Sequence, residues 1–162
     1  MIPQDPVIFN ASLRENLSLA TSLDPQATGA FDDATLLQAL ERVGLTQWLK
    51  RFSQPLEMMI EEKGKNLSQG EKQLLVMARM SLIQRPLVLM DEATSSIDPK
   101  TEELLVNAMS EIFRGHTQLI IAHRLSTIET CDRILWLKDG KVALFDKPEI
   151  VIRSFKSSDI GA

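Results

Sequence analysis

The chain has 162 residues, 44% hydrophobic and 25% charged, with 7 Gly, 7 Pro and a formal charge of -4. At about 150 residues per domain this predicts one domain able to bury a core, and it excludes the disordered, collagen-like and disulfide-scaffold classes. The acidic balance leaves no basic face for a nucleic-acid duplex, and the lone Cys131 excludes an internal disulfide or a cysteine zinc cluster and fits a reducing, cytosolic compartment.

No run approaches the roughly 18 to 20 apolar residues of a membrane span, and Met1-Ile2-Pro3-Gln4-Asp5 is not the start of a signal peptide. Any membrane role is therefore expected to come through a partner. The turn formers between Thr21 and Asp33 predict a loop after a short opening segment. Leu36, Leu37, Leu40 and Val43 then fall at helical spacing, with Asp33 placed as N-cap and Gly44 as the stop. A second short helix carries Trp48, Leu49 and Phe52, and the charged stretch Glu57 to Asn66 reads as a loop.

Ser68-Gln69-Gly70-Glu71 has the Ser-x-x-Glu spacing of a capping box, so a helix starts at residue 69 and runs through Leu74, Leu75, Ala78 and Leu82 to Gln84-Arg85-Pro86. Leu87-Val88-Leu89-Met90 is a short unalternated apolar run, the pattern of a strand covered on both faces in a parallel sheet. Asp98-Pro99 caps the next helix, whose face is Leu104, Leu105, Ala108, Met109 and Ile112, and Gly115 ends it. Thr117 to Ala122 is a second buried strand, which makes a βαβ unit with parallel strands. Ile134 to Leu137 and Val142 to Phe145 flank Asp139-Gly140, a two-residue hairpin turn, and a short helix and polar tail follow Pro148.

Ligands of open parallel sheets bind at the carboxyl ends of the strands. One strand here ends in Asp91-Glu92 and the other in His123, so neighbouring strands would bring two carboxylates and an imidazole to one edge. Asp91 can then hold Mg2+ and Glu92 polarise a water for attack on a γ-phosphate; a strand-end turn with solvated acids and an edge histidine is the other reading. The start at Ser68 likewise fits either a simple capping box or an anion site at a helix N-terminus beside Gly70.

Leu67-Ser68-Gln69-Gly70-Glu71 resembles the LSGGQ signature of ATP-binding cassette (ABC) ATPases, and Leu87 to Glu92 resembles their Walker B strand with its catalytic glutamate. Ser95-Ser96-Ile97-Asp98 is similar to the D-loop, Ala122 to Ser126 to the switch-histidine segment, and Ile2 to Pro6 to the Q-loop. These five motifs stand in family order. The Q-loop, with Asn16-Leu17 after Ser12-Leu13-Arg14, looks most like the second nucleotide-binding domain of C-subfamily, multidrug-resistance-associated exporters.

The resemblance implies an α/β, P-loop NTPase-like ABC ATPase fold, with a parallel core sheet plus a helical subdomain. It would be a partial nucleotide-binding domain over residues 1–162, lacking its N-terminal strands and Walker A loop. Residues 5–66 would form the helical-subdomain region, and residues 67–162 the signature helix, Walker B, D-loop, H-loop and C-terminal hairpin. It also implies ATP and Mg2+, with Glu92 and His123 catalytic, Asp91 and Gln4 serving the metal, and Gln4, Ser68, Gln69, Gly70, Glu71 and Asp98 serving the nucleotide, Asp98 at a dimer interface. Implied partners are transmembrane domains and a second nucleotide-binding domain, at the cytoplasmic face of a membrane, with no nucleic acid.

The sequence departs from the family in three ways. Gly64-Lys65 and Gly140-Lys141 lack the earlier glycine and the following hydroxyl of Gly-x-x-x-x-Gly-Lys-Ser/Thr, and no tyrosine is available to stack on adenine. The expectation is a fragment, the C-terminal two-thirds of a cassette, that neither binds nor hydrolyses ATP alone. A cassette remnant docking on an intact partner, and a DExx-type helicase read from Asp91-Glu92-Ala93-Thr94, are the alternatives. Glu71 stands where the signature has glutamine. Aimed at a phosphate about 4 Å away it would cost roughly 4 kcal/mol at an effective dielectric of 20, unless it turns back to the amide of Ser68.

Overall fold

A computed structural model of the chain describes residues 5–23, 30–83, 86–91, 99–122 and 125–159. They form two compact units, Met1–Ile121 and Ala122–Ala162. In the first unit, β1 (Ala11–Ser12) leads into α1 (Leu13–Leu23), α2 spans Asp33–Arg42, α3 Thr46–Leu49, and β2 Met59–Ile60. After them come α4 (Gln69–Ser81), β3 (Leu87–Asp91), α5 (Pro99–Ile112) and β4 (Thr117–Ile121).

Helix α1 begins on a capping box: the Ser12 amide donates to Glu15 Oε2 at 2.8 Å and the Glu15 amide donates to Ser12 Oγ at 3.1 Å. The Ser12 amide, then its hydroxyl, hold the Glu15 carboxyl below its ordinary pKa. The cap of α2 is Asp32, whose side chain accepts from the Thr35 amide, so Asp33 is the first helical residue and not the cap. Asp33 is drawn away by Arg14, which also donates to Glu57 and so clamps α1 to the start of α2 and to the turn before β2. Gly44 does end α2. At φ +85 it occupies the left-handed region, and the bonds from Gly44 N to Glu41 O and from Leu45 N to Leu40 O are those of a Schellman motif.

The stretch expected as a loop before Asn66 contains β2, antiparallel to β1 with Ala11 opposite Ile60. One core runs from Leu13, Leu17, Leu36 and Leu40 through Leu74, Leu75 and Met77 of α4 to Leu105 and Met109 of α5. Helix α4 sits at its centre, packed by α1, α2 and α5.

Strands β3 and β4 are parallel, Leu87 opposite Thr117 and Asp91 opposite Ile121, with α5 between them in the chain. This is the expected βαβ order. Coverage on both faces is corrected: Val88 and Met90 are buried, whereas Leu87 (51%), Leu89 (36%), Leu119 (57%) and Ile121 (55%) are exposed. The register places these four on one face, which nothing among the described residues covers, because a strand is buried on both faces only when layers pack on both.

The second unit holds α6 (Leu125–Ile128), β5 (Ile134–Lys138), β6 (Lys141–Asp146) and α7 (Pro148–Asp159). β5 and β6 pair antiparallel around Asp139 and Gly140, both at positive φ, the type I′ geometry that an Asp-Gly hairpin predicts. Trp136 meets Phe155 of α7 edge-on, their ring centroids 5.4 Å apart.

Candidate nucleotide site

Ser68 is the N-cap of α4, as its spacing to Glu71 predicts. The Glu71 amide donates to Ser68 Oγ at 3.2 Å, and the Ser68 amide donates to Glu71 Oε2 at 2.8 Å. Of the two orientations open to Glu71, the carboxylate therefore takes the one that turns back over the helix start. A comparison with the cap of α1 isolates what differs. There the Ser12 hydroxyl also donates to Glu15 Oε2 at 2.8 Å. At α4 the Ser68 hydroxyl proton finds no acceptor among the described residues, and Ser68 is exposed.

The amides of Gln69 and Gly70 precede the first intrahelical bond and have no helical acceptor. A hydroxyl proton, two amides with no acceptor among the described residues and the positive end of a helix dipole together suit an anion.

Gly70 is buried against the first turn of α5, where a β-carbon at residue 70 would overlap Thr101 Cγ2 and lie 3.1 Å from Thr101 Cβ. Its glycine is thus required by the close approach of two helices, a constraint that spacing along one helix cannot reveal. Gly70→Ala is expected to lower stability by about 1 to 3 kcal/mol through overpacking, and Thr101→Gly to return most of that loss when added. Urea titrations of the two single variants and the double variant test the pairing; additive losses would contradict it.

Asp91 is the last residue of β3, half-buried and opposite Ile121. A carboxylate at the carboxyl end of a parallel strand is a hard oxygen donor suited to Mg2+. In-register pairing sends the chain beyond β3 and the chain beyond β4 from the same end of the pair. Gln4, Glu92, Asp98 and His123 lie outside the described residues.

Two buried polar residues have no structural role in the sequence expectation, where Arg79 is unnamed and Asn16 is only a mark of the subfamily. Arg79, 6% exposed, donates to Asn16 O at 2.8 Å and to Val7 O at 3.1 Å. Asn16, fully buried, accepts from Phe9 N at 3.0 Å and donates to Phe9 O at 3.0 Å and to Ser12 O at 3.1 Å. The signals are an arginine inside the apolar run 74–80 of α4 and an asparagine at helical spacing with leucines.

The family model described as ABC transporter matches residues 1–95. The chain is 41% identical over 148 residues to ATP-binding cassette sub-family C member 10 of Mus musculus, covering 91% of this chain and 9% of that protein. It is 40% identical over 149 residues to sub-family C member 8 of Homo sapiens, covering 92% of this chain and 9% of that protein. A bacterial Atm1-family ABC exporter solved with ATP bound superposes with a TM-score of 0.80 at 30% identity, over 99% of this chain and 28% of that one. The chain thus spans about a tenth of the length of these curated relatives. The match to the family model, the C-subfamily relatives and the shared fold agree with the motif order along the chain: it belongs to the ABC transporter family, as part of a nucleotide-binding domain of C-subfamily type.

Proposed function

We propose that this chain is the portion of a nucleotide-binding domain that, with transmembrane domains and a second such domain, couples ATP binding and hydrolysis to export at the cytoplasmic face of a membrane. The observation that supports the reading is the parallel pairing of β3 and β4 with Asp91 beside Ile121, because the carboxyl ends of parallel strands are where such sheets bind ligands.

Asp91 and Gln4 would hold Mg2+, Glu92 would take the proton of the attacking water, and His123 would donate to the γ-phosphate. The chemistry Mg2+ would supply there is neutralisation of charge on the transferred phosphoryl group. Ser68, Gln69 and Gly70 offer their donors to the nucleotide of the opposite domain, with Glu71 folded into the cap and Asp98 at the interface between domains. By itself the chain, whose residues include no Gly-x-x-x-x-Gly-Lys-Ser/Thr, is expected to hold Mg-ATP no tighter than about 1 mM, roughly 4 kcal/mol.

The test joins the chain to the segment that precedes the matched region in a C-subfamily relative and follows phosphate release. Mg2+-dependent release is expected. ATP binding with no release at any Mg2+ concentration would overturn catalysis and leave a nucleotide-binding remnant.

In the same assembly Glu71→Gln is expected to keep the melting temperature within a few degrees, since glutamine also completes a capping box. It should tighten ATP-driven dimerisation severalfold, because it removes a negative charge one turn from a phosphate. Unchanged dimerisation, measured by sedimentation at several ATP concentrations, would mean that the charge does not reach the nucleotide.

A further inference from the structure

Residues 7–9 follow closely on Gln4, yet burial hardly holds them. Val7 and Phe9 are 57% and 48% exposed, and only Ile8 enters the core. Their backbone is fixed instead by polar contacts: Phe9 N and Phe9 O both bond the Asn16 side chain, and Val7 O accepts from Arg79 of α4. Arg79 also reaches Asn16 O and, at 3.4 Å, Asn16 Oδ1.

The described ion pairs both belong to Arg14, so no carboxylate among the described residues compensates this buried guanidinium. Burial pushes its pKa down, and the partners it donates to are neutral oxygens. A rigid planar fork of five donors holds acceptors from two separate segments in one fixed geometry; an ammonium is a compact donor on a flexible stem and does not fix that span, and an apolar side chain has no donor.

We propose that Arg79 is a positioning residue: together with Asn16 it fastens the segment after Gln4 to the signature helix, so that residues 7–9 and the helix carrying Ser68 move as one body. Its catalytic consequence rests on the reading above, in which Gln4 and Ser68 both serve nucleotide.

The experiment has two arms, on Arg79→Lys and Arg79→Met. In the chain without nucleotide, amide exchange followed by mass spectrometry should rise about tenfold or more over residues 7–12 and stay unchanged over β3 and β4, as expected when one local tie opens. An equal rise across the first unit would reduce Arg79 to a general contributor to stability, and no rise would remove the tie; either result overturns the proposal. In the completed cassette, Arg79→Lys should lower kcat by about tenfold with KM for ATP within about twofold of wild type. An unchanged kcat beside raised exchange would overturn the positioning role. A wild-type cassette that hydrolyses nothing would instead sink the proposed function, leaving the exchange arm to decide on the tie.

Discussion

Glu92→Gln is expected to lower steady-state phosphate release in the completed cassette by about 10² to 10⁴, the usual worth of a positioned general base, while ATP remains bound. The amide keeps the size of the side chain and removes only its capacity to take a proton. Asp91 stays at the end of β3 and Ser68 stays the cap of α4, so neither the carboxylate proposed for the metal nor the helix start proposed for the nucleotide is disturbed. His123→Ala is expected to fall in the same range through loss of a donor to the γ-phosphate. Release is measured with a coupled phosphate assay and retention of ATP by equilibrium dialysis. Release within about threefold of wild type for either variant would show that the roles are misassigned.

Leu40→Ala carries the largest expected loss of stability, about 2 to 5 kcal/mol, because it opens a cavity in a site that cannot collapse. Leu40 is fully buried on α2, the helix that packs on α4, and its carbonyl closes the Schellman motif at Gly44. The substitution leaves that carbonyl in place, so the loss reports packing alone. For a domain of this size each kcal/mol shifts the melting temperature by about 2 to 4 °C. Leu119→Ala, on the uncovered face of β4, is the control and should change stability by less than about 0.5 kcal/mol. Equal losses for the two, followed by circular dichroism, would mean that the core is misplaced.

Features set by neighbours in the chain were legible in the sequence. The capping box at Ser68, the stop at Gly44 and the Asp139-Gly140 turn each depend on a few adjacent residues, and the structure has all three. The same local rule applied at Ser12-Leu13-Arg14-Glu15 would have found α1, whose buried Leu13, Leu17 and Ala20 keep helical spacing. The sequence expectation has only a short opening segment there, with no element assigned to it. Asp32 and Asp33 compete for one cap, and the distant Arg14 decides between them. Strands β1 and β2 are two residues each and exist only through pairing across 49 positions of chain, from Ala11 to Ile60; no period can announce so short a strand. Gly70 was picked out for its place in the signature, but its contact with Thr101 joins two helices whose approach no pattern within either encodes.

The face of Leu87, Leu89, Leu119 and Ile121, uncovered among the described residues, makes stability an open quantity in the thermodynamic sense. Whatever occupies that face binds the folded chain and not the unfolded one, so it adds a linkage contribution of RT ln(1 + [L]/Kd), about 2.7 kcal/mol at a hundredfold excess over Kd. If the occupant is another copy of the chain, the melting temperature rises with protein concentration; if it is a segment covalently attached, the rise is independent of concentration and set by an effective molarity. A dilution series of thermal melts thus separates a chain that covers itself by association from one that is completed within a longer polypeptide.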